Sequence, residues 1–293
     1  MHTWWRRGGA ALAALCAVAA LGATPVDAGD TSASPRPAVP ARIVSLAPSV
    51  TETLFALGAG PRVVAVSTFC DYPPEVRSLP KIGSFVAPSI EAIIAQRPDV
   101  VIGAPSPGNH EAALALERVG IPVVAPDPEH LAAMPDVIRR IAAAAGVPDE
   151  GERLVARIEQ DMAAVRAKVA GLPTRRVLMA VGQDPLVAVG DTSFIGELLA
   201  EAGATNVAPP GPPWPRVTLE YVVARDPEVI IDTSMGTEQQ SGADAFWRRL
   251  PSLAAVREQH VYAFRSDRIL RPGPRLPAGF EDLARLVHPE AWR

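Results

Sequence analysis

Two thirteen-residue stretches limit what this chain can fold into more than any other feature. Residues 90–102 read IEAIIAQRPDVVI and residues 219–231 read LEYVVARDPEVII, 129 positions apart. Five positions are identical: Glu91/Glu220, Ala95/Ala224, Pro98/Pro227, Val100/Val229 and Ile102/Ile231. Each copy has an apolar residue, a Glu, an apolar stretch at helical spacing, a Pro, an acid and three β-branched residues. That order predicts a short helix, a stop, and a strand buried on both faces of a parallel sheet. Earlier helices match too, ETLFALGA (52–59) with GELLAEAGA (196–204). The period is far longer than that of a solenoid repeat, so the duplicated unit is a whole lobe.

The rest of the chain fits two α/β lobes. RIVSLAP reads as a strand, turned by Pro48-Ser49 into the helix VTETLFALG, with Thr51 as its cap and Gly58 as its terminator. RVVAVS, DVVIG and IPVVAP are strands, and Asn109 caps the helix HEAALALERVG. In the second half RRVLMAVG, EVIID and HVYAF are strands; DTSFIGELLAEAG, LEYVVARDP and PAGFEDLARLVH are helices. Between the halves, DEGERLVARIEQDMAAVRAKVA (149–170) places Leu154, Val155, Ile158, Met162, Val165 and Val169 at helical spacing. A helix of about twenty residues spans ~30 Å. It is either one long surface helix or, given its place midway between the copies, a rigid strut between lobes. The predicted fold is α/β: two lobes, each a parallel-type sheet with flanking helices, joined by one long rigid helix. Residues 42–148 form the N-terminal lobe, 149–171 the interlobe helix and 172–293 the C-terminal lobe. Two such lobes leave a cleft between the carboxyl ends of their strands.

The first 28 residues carry Arg6 and Arg7, a short apolar run and small residues ending at Val26-Asp27-Ala28. This predicts a secretory signal, too short to span a bilayer comfortably. Cys16 raises the rival of a lipid anchor, but Leu15 stands where a small residue is wanted. Residues 29–41, rich in Pro, Ser and Ala, read as a flexible leader. If Cys16 leaves with the signal, Cys70 is the one mature cysteine and no internal disulfide can form.

A composition 48% hydrophobic and 20% charged is that of a globular chain. A net charge of −4 without any Lys/Arg run argues against nucleic acid as a partner. Phosphate-cradling, dinucleotide and nucleophile-elbow motifs are missing. His110, His130, His260 and His288 are too scattered to predict a metal site. Asp71, Asp127, Asp184 and Asp232 end or follow strands, where catalytic carboxylates often sit, but turn and cap roles are the better account of each.

The loops are better suited to holding than to reacting. Phe69-Cys70-Asp71-Tyr72-Pro73-Pro74 is aromatic, polar and stiffened by proline, so it loses little entropy on binding. Phe85 lies in a second loop, before the helix carrying Glu91. Trp214, set between prolines in GPPWP, is either a core plug or a platform for a planar ligand. The segment from Ser266 to Arg275 offers Asp267 and arginines to anionic or amide groups, or is simply a solvated loop.

STFCDYPPEV, KIGSFVAPSIEAIIAQRPDVVI and PPWPRVTLEYVVARDPEVII resemble the cobalamin-binding periplasmic proteins of bacterial ABC importers. The resemblance runs over about residues 41–291. It implies a monomer with no catalytic residues, resident cofactor or metal, which carries cobalamin between its lobes to the importer's membrane subunits. Phe69, Phe85 and Trp214 stand where such proteins place aromatic residues against the ligand, and Asp267 and Arg271 match a polar loop near it. Further aromatics expected near Ala104-Pro105 and at Val187 are absent, as is a cysteine pair found in some members. Glu91 and Glu220 fall where one Glu from each lobe docks to transporter arginines. Both also suit the helix dipole as first-turn acids. A siderophore or haem receptor of the same group, and an exported α/β enzyme using the cleft, are the alternatives.

Overall fold

In a computed structural model, residues 39–127, 130–233 and 243–293 are described. The expected signal peptide, Cys16 and residues 29–38 of the expected leader lie outside them. At the end of the stretch expected as a leader, Pro40 is buried and accepts a bond from Arg62, and the Ala41 amide donates to Asp99 at 2.7 Å. The first lobe is built on four parallel strands, β1 (Ile43–Ser45), β2 (Val63–Val66), β3 (Val100–Ile102) and β4 (Val123–Val124), in the order β2-β1-β3-β4. Helices α1 (Pro48–Ala56), α2 (Ile90–Ala95), α3 (His110–Arg118) and α4 (Met134–Ala144) flank it. Gly58 ends α1 with φ +73, the left-handed conformation that suits glycine. Thr51 is not the cap, because the helix already begins at Pro48. Its buried hydroxyl bonds back to the Ala47 carbonyl at 3.1 Å and to Ser45 at 2.7 Å. Asn109 sits at the start of α3 but makes no capping bond to it. Helix α4 was not among the expected elements, although Met134, Val137, Ile138 and Ile141 are buried at helical spacing. Its Pro135 lies in the first turn, where a missing N–H costs nothing.

The expected long helix is α5 (Pro148–Val169). The second lobe contains β5 (Arg175–Gln183), β6 (Leu186–Ala188), α6 (Phe194–Glu201), β7 (Ala204–Asn206), α7 (Leu219–Arg225), β8 (Val229–Asp232), α8 (Ala243–Trp247), α9 (Ala254–Arg257), β9 (Val261–Ala263) and α10 (Leu276–Val287). Its sheet runs β6-β5-β8-β9, with β7 also pairing with β5. The pairings are parallel except for β6, an antiparallel edge strand on β5, so this sheet is mixed rather than purely parallel.

All six apolar positions expected to line α5 are buried. They join one core that holds Val50, Leu54 and Ile138 of the first lobe and Ile195, Leu198 and Phe280 of the second. Gly151 lets α4 and α5 meet closely, since a Cβ there would lie 2.6 Å from the Ala142 side chain. Ion pairs follow the same division: Arg139 of α4 meets Glu152 at 2.9 Å, whereas Arg166 and Lys168 reach Glu201 of α6 and Glu281 of α10. Bending α5 would break its own hydrogen bonds and strip these contacts.

Glu281 also accepts from Arg285 and from the Trp292 indole, each at 2.9 Å. The Arg285 bond, then those of Trp292 and Lys168, bring its carboxyl pKa from 4.5 down to about 2. A carboxyl lowered on folding stabilises above its unfolded pKa and loses that contribution as pH falls through the folded one. Glu281→Gln is therefore expected to lower the melting temperature at pH 6–7, with the deficit closing between about pH 4.5 and about pH 2. Melts across that range check this; a deficit independent of pH would contradict it.

Candidate functional site

In both lobes the parallel strands deliver the expected site loops from their carboxyl ends. Phe69, Asp71, Tyr72 and Phe85 lie between β2 and α2; Asp267, Arg271 and Arg275 lie between β9 and α10. The first loop is pinned from within. Lys81 donates to the Cys70 and Val76 carbonyls at 2.9 and 3.2 Å, and the Thr68 amide donates to Gly83 at 2.9 Å. Asn109 donates to the Phe85 and Ala104 carbonyls, each at 2.9 Å, so it anchors an aromatic instead of capping a helix. Phe69 is exposed, and its ring meets that of Phe85 edge to face with centroids 6.3 Å apart.

Trp214 is 47% exposed, so it is not a core plug. The backbone around it is fixed along β6 and the residues after it: Gly190 donates to Pro213, Ala188 to Pro215 and Val217 to Leu186, at 2.9, 2.9 and 3.0 Å. A large flat ring is thus presented on a held backbone. Among the described residues, Trp214 forms no ring pair with Phe69 or Phe85. Val187, where an aromatic was expected, is half-buried on β6.

The two lobes meet through charge. Arg271 donates to Asp71 at 2.7 Å and to Glu52 at 3.1 Å, and forms an ion pair with Asp267 at 3.1 Å. Arg275 grips Glu52 with Nε at 2.7 Å and Nη2 at 2.5 Å, reaches Asp267 at 3.2 Å, and lies 4.2 Å over the Tyr72 ring. The Arg271 bond holds the Asp71 carboxyl below its usual range, despite some opposing desolvation. Arg275 is raised, chiefly by Glu52. Four expected site residues therefore converge: Asp71, Tyr72, Asp267 and Arg271. Glu52, whose side chain is only 1% exposed, was missed. A charged residue within the apolar helix VTETLFALG was the available signal, but its partners lie 219 and 223 residues away.

Glu91 and Glu220 are exposed in the first turns of α2 and α7. Both helices precede the central strands β3 and β8, so both glutamates lie toward the cleft end of their lobes. Ser89 and Thr218 cap the two helices alike, each accepting an amide bond at 3.2 Å. The Glu220 carboxyl is lowered by its own backbone amide and then by Thr218. Although both lie in the apolar stretches of the repeat, Ile94 and Val223 do not face their lobes' cores but are 41% and 40% exposed. They occupy the same slot of the repeat, three residues after each Glu and therefore on the same helix face. Of the strand-end acids, Asp232 is buried and accepts from the Trp247 indole at 2.7 Å and from Gln183 at 2.8 Å, which ties it to packing.

Against this geometry, the sequence profile described as "Periplasmic binding protein" matches residues 43–267. The chain belongs to that family. Among relatives of this periplasmic binding protein, the Vitamin B12-binding protein of Vibrio parahaemolyticus is 31% identical over 235 residues, covering 80% of this chain and 84% of that protein. The apo periplasmic heme-binding protein RhuT from Roseiflexus sp. RS-1 superposes with a TM-score of 0.76 at 32% identity, covering 85% of this chain and 98% of that one. The periplasmic vitamin B12 binding protein BtuF of Vibrio cholerae gives 0.71 at 26% identity, covering 87% and 98%.

Proposed function

We propose that this chain is an exported periplasmic binding protein that captures cobalamin between its lobes and delivers it to an ABC importer, without catalysing a reaction. The observation that carries this reading is the likeness to named vitamin B12-binding proteins across most of both chains. The site is consistent with it. Phe69, Phe85 and Trp214 offer aromatic surface to a large planar macrocycle, while Asp71, Tyr72, Asp267 and Arg271 offer polar groups to its rim. Residues 1–28 direct export and are removed. Glu91 and Glu220 meet basic sites on the membrane subunits. Helix α5 acts as a strut, so binding proceeds with little rigid-body closure.

Haem is the second reading, favoured by the 32% identity to the Roseiflexus protein. Mature protein incubated with equimolar cobalamin and haem, then desalted, is expected to retain the visible bands of a corrinoid. Retention of a haem Soret band alone would reverse the choice. Small-angle scattering of the loaded sample should match the ligand-free protein, and a large contraction would contradict the strut.

A further inference from the structure

Two arginines at the lobe junction would, by count alone, make an anion site. Their surroundings say otherwise. Glu52, Asp71 and Asp267 set three carboxylates against the guanidinium groups of Arg271 and Arg275, leaving one net negative charge. Arg275 commits Nε, Nη1 and Nη2 to Glu52 and Asp267. Arg271 donates to Glu52 and Asp71 through Nη1 and pairs with Asp267, so its charge is offset, and among the described residues Nε and Nη2 make no hydrogen bond and still offer N–H groups. Glu52 is the buried member that touches both arginines, and it comes from the opposite lobe. Asp71 and Asp267 form the exposed side of the cluster, with side chains 56% and 40% exposed.

Such a cluster can donate hydrogen bonds to a neutral carbonyl oxygen. It gives an incoming carboxylate no net attraction and faces it with two like charges. We propose that Glu52 is a specificity-determining residue: by neutralising Arg271 and Arg275 across the lobe junction, it makes the cleft select a ligand with an amide-bearing periphery over one of the same shape that carries carboxylates. This rests on the cobalamin reading, since cobalamin carries peripheral amides where haem carries propionates. Without the Glu52 charge, Arg275 loses its bidentate partner and becomes a receptor for a ligand carboxylate.

The test uses mature wild-type protein, Glu52→Gln and Asp71→Asn, titrated with cobalamin and with cobalamin in which one peripheral amide is hydrolysed to the acid. Wild type is expected to prefer the amide form by about tenfold or more at low salt, because like-charge juxtaposition costs that much or more. Both variants should narrow the preference severalfold, and added salt should narrow it in wild type. Asp71→Asn changes an exposed side chain, so it carries the test if Glu52→Gln fails to fold. Equal affinities in wild type, or a preference unchanged in the variants, would overturn the role of Glu52 while cobalamin binding stands. Tighter binding of haem than of cobalamin by wild type would overturn both.

Discussion

Glu91→Ala combined with Glu220→Ala is expected to cut importer-driven cobalamin uptake by on the order of tenfold or more, with ligand affinity and melting temperature nearly unchanged. Both carboxylates are exposed, and neither takes part in the charge cluster between the lobes. Two equivalent acids at equivalent sites can meet two equivalent basic sites on a two-fold partner, which fixes orientation and speeds encounter. The helix dipole explains an acid in each first turn but not the exposed apolar neighbours. Ile94 and Val223 add a patch beside each Glu that a docked partner would cover. Ile94→Ser with Val223→Ser should therefore depress uptake as well, by a factor that added salt leaves nearly unchanged, since no charge is altered. Uptake into vesicles carrying the cognate importer measures both. Full uptake by the double alanine variant, or a large loss of ligand affinity, would return the glutamates to a role in their helices alone.

Trp214→Ala is expected to weaken cobalamin binding by roughly tenfold to a hundredfold while shifting the melting temperature little. A ring already 47% exposed loses little packing in the free protein, and burying a large apolar side chain against a ligand contributes about 1.5–3 kcal/mol. Phe280→Ala is the contrasting case. Phe280 is fully buried in the core that joins α5 to the second lobe, and its truncation should cost about 3–5 kcal/mol of stability. Paired melts and titrations separate the two residues. A collapse in the stability of Trp214→Ala, with normal binding by the folded remainder, would show that its ring serves the fold.

The elements legible in sequence were those written by local pattern. The repeat fixed β3 and β8 with their preceding helices, and the spacing of Leu154, Ile158, Met162 and Val165 fixed α5, because burial repeats every turn of a helix. Local pattern misleads where a side chain has a distant partner. Ile94 and Val223 look like core residues by spacing yet stand exposed, and Asn109 looks like a cap yet holds the Phe85 loop. The strand β6 hides in a short hairpin segment after Gln183, where three residues carry too little periodicity to be read. Exposed aromatics could be picked out as loop residues next to proline. The buried Glu52 could not, since its role exists only when residues more than two hundred positions apart are brought together.

The most direct test of the central claim is calorimetric titration of the mature protein with cobalamin, with haem as the competitor. Saturable binding at one site per chain, not displaced by equimolar haem, is the expected result. No heat with cobalamin, together with saturable binding of haem or a ferric siderophore, would contradict it.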